Sequence, residues 1–320
     1  MHSLVFSAAA VALALLPRPA AAAVDREATI DGGKAPLHGA LLIPDGPSAG
    51  AAVLIIPGSG PTDRDSNSTI PGMKPNTLKL LADGLAQQGI ASLRIDKRGV
   101  GQSAAALTAE ADMRFEDNID DAIGWTKFLG AQPGVRCVVI LGHSEGALVA
   151  AMTARRVRTC GVVSISGVGR RAADVIKAQL MAAPMPEDLR AQAFADLDSL
   201  AAGRPVAEPP ASLMALFRPS VQPYLISWLT IDPAVELAAV KSPVLIVQGA
   251  NDLQVSVDDA RLLAKARPDA KLLVLDGVNH VLKPAPADRA GNAATYADPN
   301  LPLDPRIVPA VAAFVRAAGR

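Results

Sequence analysis

Cys137-Val138-Val139-Ile140-Leu141-Gly142-His143-Ser144-Glu145-Gly146-Ala147-Leu148-Val149-Ala150-Ala151-Met152 is the stretch that decides the fold. It begins as an apolar run, stops at Gly142, and from Ser144 onward is made of helix formers. A short apolar run bounded by glycine reads as a buried strand, and the residues from Ser144 to about Arg156 read as a helix. Between them, Gly142-His143-Ser144-Glu145-Gly146 fits the pattern G-x-S-x-G. The pattern is weak by itself. A strand directly before it and a helix directly after it give it meaning, because that setting lifts a serine hydroxyl above the end of a sheet on a sharp turn. Side chains at 142 and 146 would collide across so tight a turn, which accounts for both glycines. The helix also points its positive end at the Ser144 hydroxyl and at any anion developing beside it.

Working outward, the alternation recurs. Toward the N-terminus, Leu37 to Ile43 and Ala51 to Ile56 read as strands that end at Pro44 and at Pro57-Gly58. Thr77 to Gln88 places Leu78, Leu81 and Leu85 at helical spacing, with Gly89 as a stop. Ala91 to Ile95 is a strand and Phe115 to Leu129 a helix. Toward the C-terminus, Cys160 to Ile165 is a strand, after which no strand is legible from Gly167 to about Val235. That segment has helical stretches near Ala172–Ala182 and Glu187–Ala201 and from Ser212 to Leu229. Strands at Val244 to Val247 and Lys271 to Leu275, with helices at Ser256 to Ala266 and Asp304 to Ala318, complete the pattern. Such alternation predicts an α/β domain over 24–320 with a mainly parallel sheet and a helical insertion at about 167–235. An insertion at that point lies over the carboxyl ends of the strands, where open α/β sheets bind ligands.

A serine hydroxyl needs a neighbouring base to act as a nucleophile. Of the four histidines, His2 lies at the extreme N-terminus, His38 in an early strand, and His143 beside Ser144 with its ring expected to point away from the turn. His280, in the loop after the last strand, is left as the base. A carboxylate must hold the tautomer of that imidazole. Asp252, in Gln248-Gly249-Ala250-Asn251-Asp252 after the preceding strand, is favoured over Asp258, Asp259 and Asp276. The chain order Ser144, Asp252, His280 is the order of α/β-hydrolase triads. Acyl transfer also needs two N–H donors for an oxyanion. The candidates are the backbone N–H of Glu145 and, in the loop Ile56-Pro57-Gly58-Ser59-Gly60-Pro61, that of Ser59, with Gly60 as its alternative. A phosphate-binding reading of this loop fails because position 63 is Asp and Pro61 lacks an N–H.

At these residues the chain resembles the α/β-hydrolase superfamily. Pro57-Gly58-Ser59-Gly60-Pro61-Thr62-Asp63-Arg64-Asp65 and Leu93-Arg94-Ile95-Asp96-Lys97-Arg98-Gly99-Val100-Gly101-Gln102-Ser103 look like a group of bacterial serine carboxylesterases. The likeness covers most of 37–320 outside the insertion. It implies a mostly parallel eight-stranded sheet flanked by helices, a helical cap, ester hydrolysis through an acyl-enzyme, and no cofactor. The family's Gly-Gly after the turn is Gly146-Ala147 here, a mild departure. Asp63, Arg64, Asp65, Asp96 and Arg98 read as an ion-pair network bracing the loop rather than as substrate contacts. A serine peptidase of aminopeptidase type, or a thioesterase, would use the same triad; a non-catalytic binding protein has no need of one. Met181, Met185, Met214, Leu216, Phe217, Tyr224 and Trp228 are candidates for an apolar acyl pocket.

Composition narrows the classes. With 31 basic and 31 acidic residues the formal charge is +0, and aromatic residues make up 3%, so neither a basic nucleic-acid surface nor a base-stacking platform is expected. No His or Cys pairs stand at metal-ligand spacing. On the resemblance above, the expected substrate is a small-molecule ester. Residues 1–23 read as a signal peptide: an apolar run from Leu4 to Leu16, then Pro17-Arg18-Pro19 and Ala20-Ala21-Ala22-Ala23, although no Lys or Arg precedes the run. Export to the periplasm or beyond is expected, with no later membrane span. Cys137 and Cys160 start neighbouring strands, where either a disulfide or two buried thiols would fit.

Overall fold

A computed structural model describes residues 23, 25–44 and 49–320, so nearly all of the segment read as a signal peptide lies outside the described residues. Eight strands form one sheet: β1 (Asp25–Ile30), β2 (Leu37–Leu42), β3 (Ala51–Ile56), β4 (Ser92–Ile95), β5 (Cys137–His143), β6 (Gly161–Ile165), β7 (Val244–Gly249) and β8 (Lys271–Leu275). Their spatial order is β1-β2-β4-β3-β5-β6-β7-β8. The pairings β1–β2 and β2–β4 are antiparallel; all the others are parallel.

The helices are α1 (Thr77–Gln87), α2 (Phe115–Gly130), α3 (Glu145–Ala154), α4 (Ala172–Ala182), α5 (Glu187–Ala201), α6 (Met214–Phe217), α7 (Gln222–Trp228), α8 (Pro233–Ala238), α9 (Val257–Ala266), α10 (Arg289–Ala294) and α11 (Ile307–Ala318). Strand β3 shows how the layers are built. Its six residues are all buried, and they alternate between two cores. Ala52, Leu54 and Ile56 face α2, α3, α8 and α9; Val53 and Ile55 face α1 and α11. A strand covered on both faces carries no polar side, which is why the sequence shows it as an unbroken apolar run. Helices α4 to α7 enclose a third core around Leu197, Leu200 and Phe217.

Three sequence expectations change. Strand β1 is not legible in the sequence: Asp-Arg-Glu-Ala-Thr-Ile is mostly exposed, and charged residues suit an edge strand. The helix expected from Ser212 to Leu229 is broken into a 3-10 turn, α6 and α7. Arg218 is extended, with ψ of 144°, because the Pro219 ring disfavours helical geometry in the residue before it. The last helix starts at Ile307 and not at Asp304, whose carboxylate instead accepts the N–H of Arg306 in a turn. Helix α10 is an addition to the expected set, and so is α8. Asp232 caps it by accepting from Ala234 and Val235, and Pro233 stands at its first position.

The order places the site. From β3 the chain moves outward to β4, then returns to place β5 on the other side of β3. The loops leaving β3 and β5 therefore diverge above the carboxyl end of the sheet and open a crevice there.

Candidate active site

Ser144 sits at the head of α3 with φ 55° and ψ −123°, a region that costs a non-glycine residue strain. Its neighbours enforce this. A Cβ on Gly142 would lie 1.9 Å from the Gly146 carbonyl oxygen, and one on Gly146 would lie 2.6 Å from the carbonyls of Ile56 and Pro57. Gly142 thus lets the turn close onto α3, and Gly146 lets α3 pack onto the end of β3. The Ser144 N–H donates to Ile165 O at 2.9 Å, tying the turn to β6. Its hydroxyl has no hydrogen-bond partner among the described residues and lines a cavity of about 510 Å³.

The loops that carry Asp252 and His280, the candidate acid and base, leave β7 and β8. The Asp252 Oδ2 atom lies 2.8 Å from His280 Nδ1, both side chains being buried. Asp252 also accepts from the N–H groups of Gln254 at 2.8 Å and Val255 at 2.9 Å, and from Gln248 Nε2 at 3.1 Å. Burial by itself would raise this carboxyl; the imidazole and the two N–H groups outweigh it and hold it below the ordinary carboxylate value. It is therefore an ionised acceptor at neutral pH, and His280 carries its Nδ1 proton toward it. That leaves Nε2 as the basic nitrogen.

His143, expected to point away from the turn, belongs to the site. Its ring lies 4.8 Å from that of His280, and its Nε2 is 2.8 Å from His280 O. Burial foremost, and then His280, lower its pKa to about 4. The ring is thus neutral, with Nε2–H donating to the His280 carbonyl. This contact brings the base loop directly against the nucleophile turn. Asn279 and Asn292 do similar work further out. The Asn292 amide donates to Asn251 O at 2.8 Å, and Asn279 donates to Thr295 at 2.7 Å. Together with the bond from Asn251 N–H to Val278 O, they lock the acid loop to the base loop. No periodicity marks residues 284–306, so nothing local points to Asn292, while Asn279 stands directly before His280 in sequence.

The loop after β3 passes close to the serine: a Cβ on Gly58 would be 3.2 Å from Ser144 Cβ. The N–H groups of Ser59, Gly60 and Glu145 have no partner among the described residues. The charged set lies behind this loop. Arg64 binds Asp96 through Nε at 2.9 Å and Nη2 at 2.7 Å, and Arg94 meets Asp65 at 3.2 Å. Arg98 pairs with Asp121, while Asp63 accepts the N–H groups of Asp65 and Asn67. The ion pairs thus hold loop to sheet. Asp25, Glu27 and Asp121 are partners that the sequence does not reveal.

Of the apolar candidates in the insertion, Leu216, Tyr224 and Trp228 line the cavity. Met181 and Met214 are exposed, and Met185 and Phe217 belong to the insertion's own core. Beside the serine the wall is polar. Lys97 lies 3.9 Å from the buried Glu145 carboxylate, and the Tyr224 hydroxyl accepts from Asn118 at 3.2 Å. Cys137 and Cys160 are joined as a disulfide with Cα atoms 5.9 Å apart, between the entry ends of β5 and β6. Among the described residues no group of three or more His, Cys, Asp or Glu could hold a metal ion, and no helix is long and apolar enough to cross a membrane.

Comparison with known proteins agrees with this architecture. Residues 74–283 match the family described as Serine aminopeptidase, S33. A curated relative, esterase EstD of Thermotoga maritima, is 30% identical over 274 residues, which is 81% of this chain and 60% of the relative. The chain thus spans less than two thirds of that protein's length. Among solved structures, the esterase Pf2001 of Pyrococcus furiosus superposes with a TM-score of 0.58 at 17% identity, covering 93% of this chain and 94% of that one. Est1E of Butyrivibrio proteoclasticus, solved with ferulic acid bound, gives 0.58 at 17% identity, covering 91% and 96%. By fold and by family match, the chain belongs to the α/β-hydrolase superfamily and, within it, to the family described as Serine aminopeptidase, S33.

Proposed function

We propose that this protein is a serine hydrolase that cleaves carboxylic esters of small molecules through an acyl-enzyme. The observation that carries the reading is Ser144: a strained residue whose unpartnered hydroxyl lines the cavity, one residue from a histidine in ring contact with His280. Strain of this kind persists only where the surroundings enforce it, and here two glycines and a strand do so.

In the proposed cycle, Ser144 Oγ attacks the ester carbonyl carbon while its proton passes to His280 Nε2. Asp252, already bonded to Nδ1, stabilises the imidazolium. The carbonyl oxygen becomes an oxyanion and takes the N–H groups of Ser59 and Glu145. His280 then protonates the leaving alcohol, and the acyl group stays on Ser144. Water, deprotonated by His280, attacks the acyl carbon and releases the acid. No cofactor takes part. Ester cleavage is favoured because the curated relative and the structural neighbours are named esterases. The family description gives the aminopeptidase reading its own support.

The test is direct. Ser144→Ala should abolish turnover of a short-chain aryl ester with unfolding temperature unchanged; retained turnover would remove the assignment. Parallel rates on an ester, a thioester and an aminoacyl amide should rank the ester first, and a faster amide would shift the reading to a peptidase. Export is part of the proposal. It is supported by the pattern of residues 1–23 and by the disulfide, which persists in oxidising compartments. A mature chain beginning near residue 24, recovered outside the cytoplasm, is the expected result.

A further inference from the structure

We infer that Lys97 is a positioning residue for the oxyanion site: by holding the carbonyls of Gly58 and Gly60 it turns the Ser59 N–H toward the reacting carbonyl. This rests on the serine-hydrolase reading and extends it. Lys97 follows β4, and its side chain is 11% exposed. Its ammonium donates to Gly58 O and, at 3.0 Å, to Gly60 O. In a planar trans peptide the C=O and the following N–H point in opposite directions. Fixing Gly58 O therefore fixes the direction of the Ser59 N–H.

The rest of the loop is held by the same logic. The Thr62 hydroxyl donates to Ser59 O at 2.8 Å, and the Thr62 N–H donates to Gly60 O at 2.8 Å. All three carbonyls from 58 to 60 are thus engaged, while the Ser59 and Gly60 N–H groups are left without partners among the described residues. The lysine also lies 3.9 Å from Glu145, whose own N–H is the second proposed donor. One ammonium is thereby bonded to the loop that carries the first proposed donor and lies beside the side chain of the residue that carries the second. Burial holds the pKa of this ammonium below the ordinary lysine value, and the Glu145 carboxylate partly opposes the shift. A donor site works only if its dipoles are aimed before the charge develops, so an aiming group acts on the transition state and not on substrate binding.

The experiment uses Lys97→Met in the full chain. Because that change strands the buried Glu145 carboxylate, the double variant Lys97→Met with Glu145→Gln is read against Glu145→Gln alone, which removes the uncompensated charge. In both comparisons kcat for an aryl ester should fall about 10- to 100-fold with KM within about threefold. Affinity for an aryl boronic acid, which forms a tetrahedral adduct with the serine, should fall by a like factor, while affinity for the carboxylate product stays put. A kcat within about twofold of its reference, or a loss shared equally by boronate and product, overturns the inference. If Ser144→Ala abolishes turnover while Lys97→Met does not, only the role of the lysine falls. Turnover that survives Ser144→Ala sinks the underlying reading instead.

Discussion

The sheet and the helical segment between β6 and β7 face the same cavity but are built on different terms. Strands β3 and β5 are buried on both faces, and their ends meet across contacts that leave no room for a Cβ. The segment from α4 to α7 has its own core and presents Leu216, Tyr224 and Trp228 to the cavity. It meets the sheet layer at Phe115, on which Trp228 stacks at 6.1 Å with planes 8° apart, and through polar links such as Arg218 to Glu110 and Asn118 to Tyr224. Rigid elements fix the proposed reacting groups, while a separately packed layer lines much of the cavity beside them. Changes in the first should therefore act on chemistry and folding together, and changes in the second on selectivity.

The largest expected effect comes from Gly142→Ala. Its Cβ would lie 1.9 Å from the Gly146 carbonyl, so the nucleophile turn must open. Ester turnover should fall by more than about a thousandfold and unfolding free energy by about 4 kcal/mol or more. Full activity in this variant would break the contrast at its strongest point. Trp228→Ala tests the other side. Selectivity between butanoyl and octanoyl aryl esters should shift about tenfold or more in favour of the longer chain, with turnover of the best substrate largely kept. A uniform loss on every chain length would mean that the insertion also positions the chemistry.

The smallest effect is a pH dependence of stability at the nucleophile turn. His143 has a folded pKa of about 4 against an ordinary value of 6.5. Between those values the unfolded chain binds more protons than the folded one, so stability falls as pH drops through this window. The Asp252 carboxyl, depressed in the fold, adds a loss of the same sign at lower pH, once the pH falls below the ordinary value of 3.8. Replacing His143 by Gln keeps a side-chain N–H donor for the His280 carbonyl and removes the titration. The fall in unfolding temperature from pH 6.5 to pH 4 should be smaller in the variant by an amount equivalent to a few kcal/mol. An equal fall in both proteins would show that His143 does not carry the effect.

Legibility tracks the range of the interactions. Helices α4 and α5 are readable to their ends, because apolar spacing and a nearby Gly or Pro are local signals. The stretch after them reads as one helix on composition alone, and the effect of Pro219 on Arg218 is what divides it. The apolar candidates scatter for a related reason. Met181 and Leu216 look alike in sequence, and only the packing of the insertion's helices decides that one faces solvent and the other the cavity. At the site, elimination among four histidines singles out His280, and strand order singles out Asp252. The same elimination discards His143, since it asks which imidazole could be the base and not which could hold the base in place.

What the sequence determined by itself was the strand–turn–helix around Ser144, because the constraint is steric and confined to five consecutive residues. Its two glycines fit so tight a turn between the strand before them and the helix after them. The tertiary structure alone decided which distant groups complete the turn: Lys97 on the Gly58 carbonyl, 39 residues away, and His143 beneath the His280 carbonyl, 137 residues away. It also decided that Cys137 and Cys160 are joined. Contacts of this kind depend on which strands lie side by side at the point where the sheet order reverses. No local pattern encodes that adjacency; it arises when the two apolar cores close around the strands.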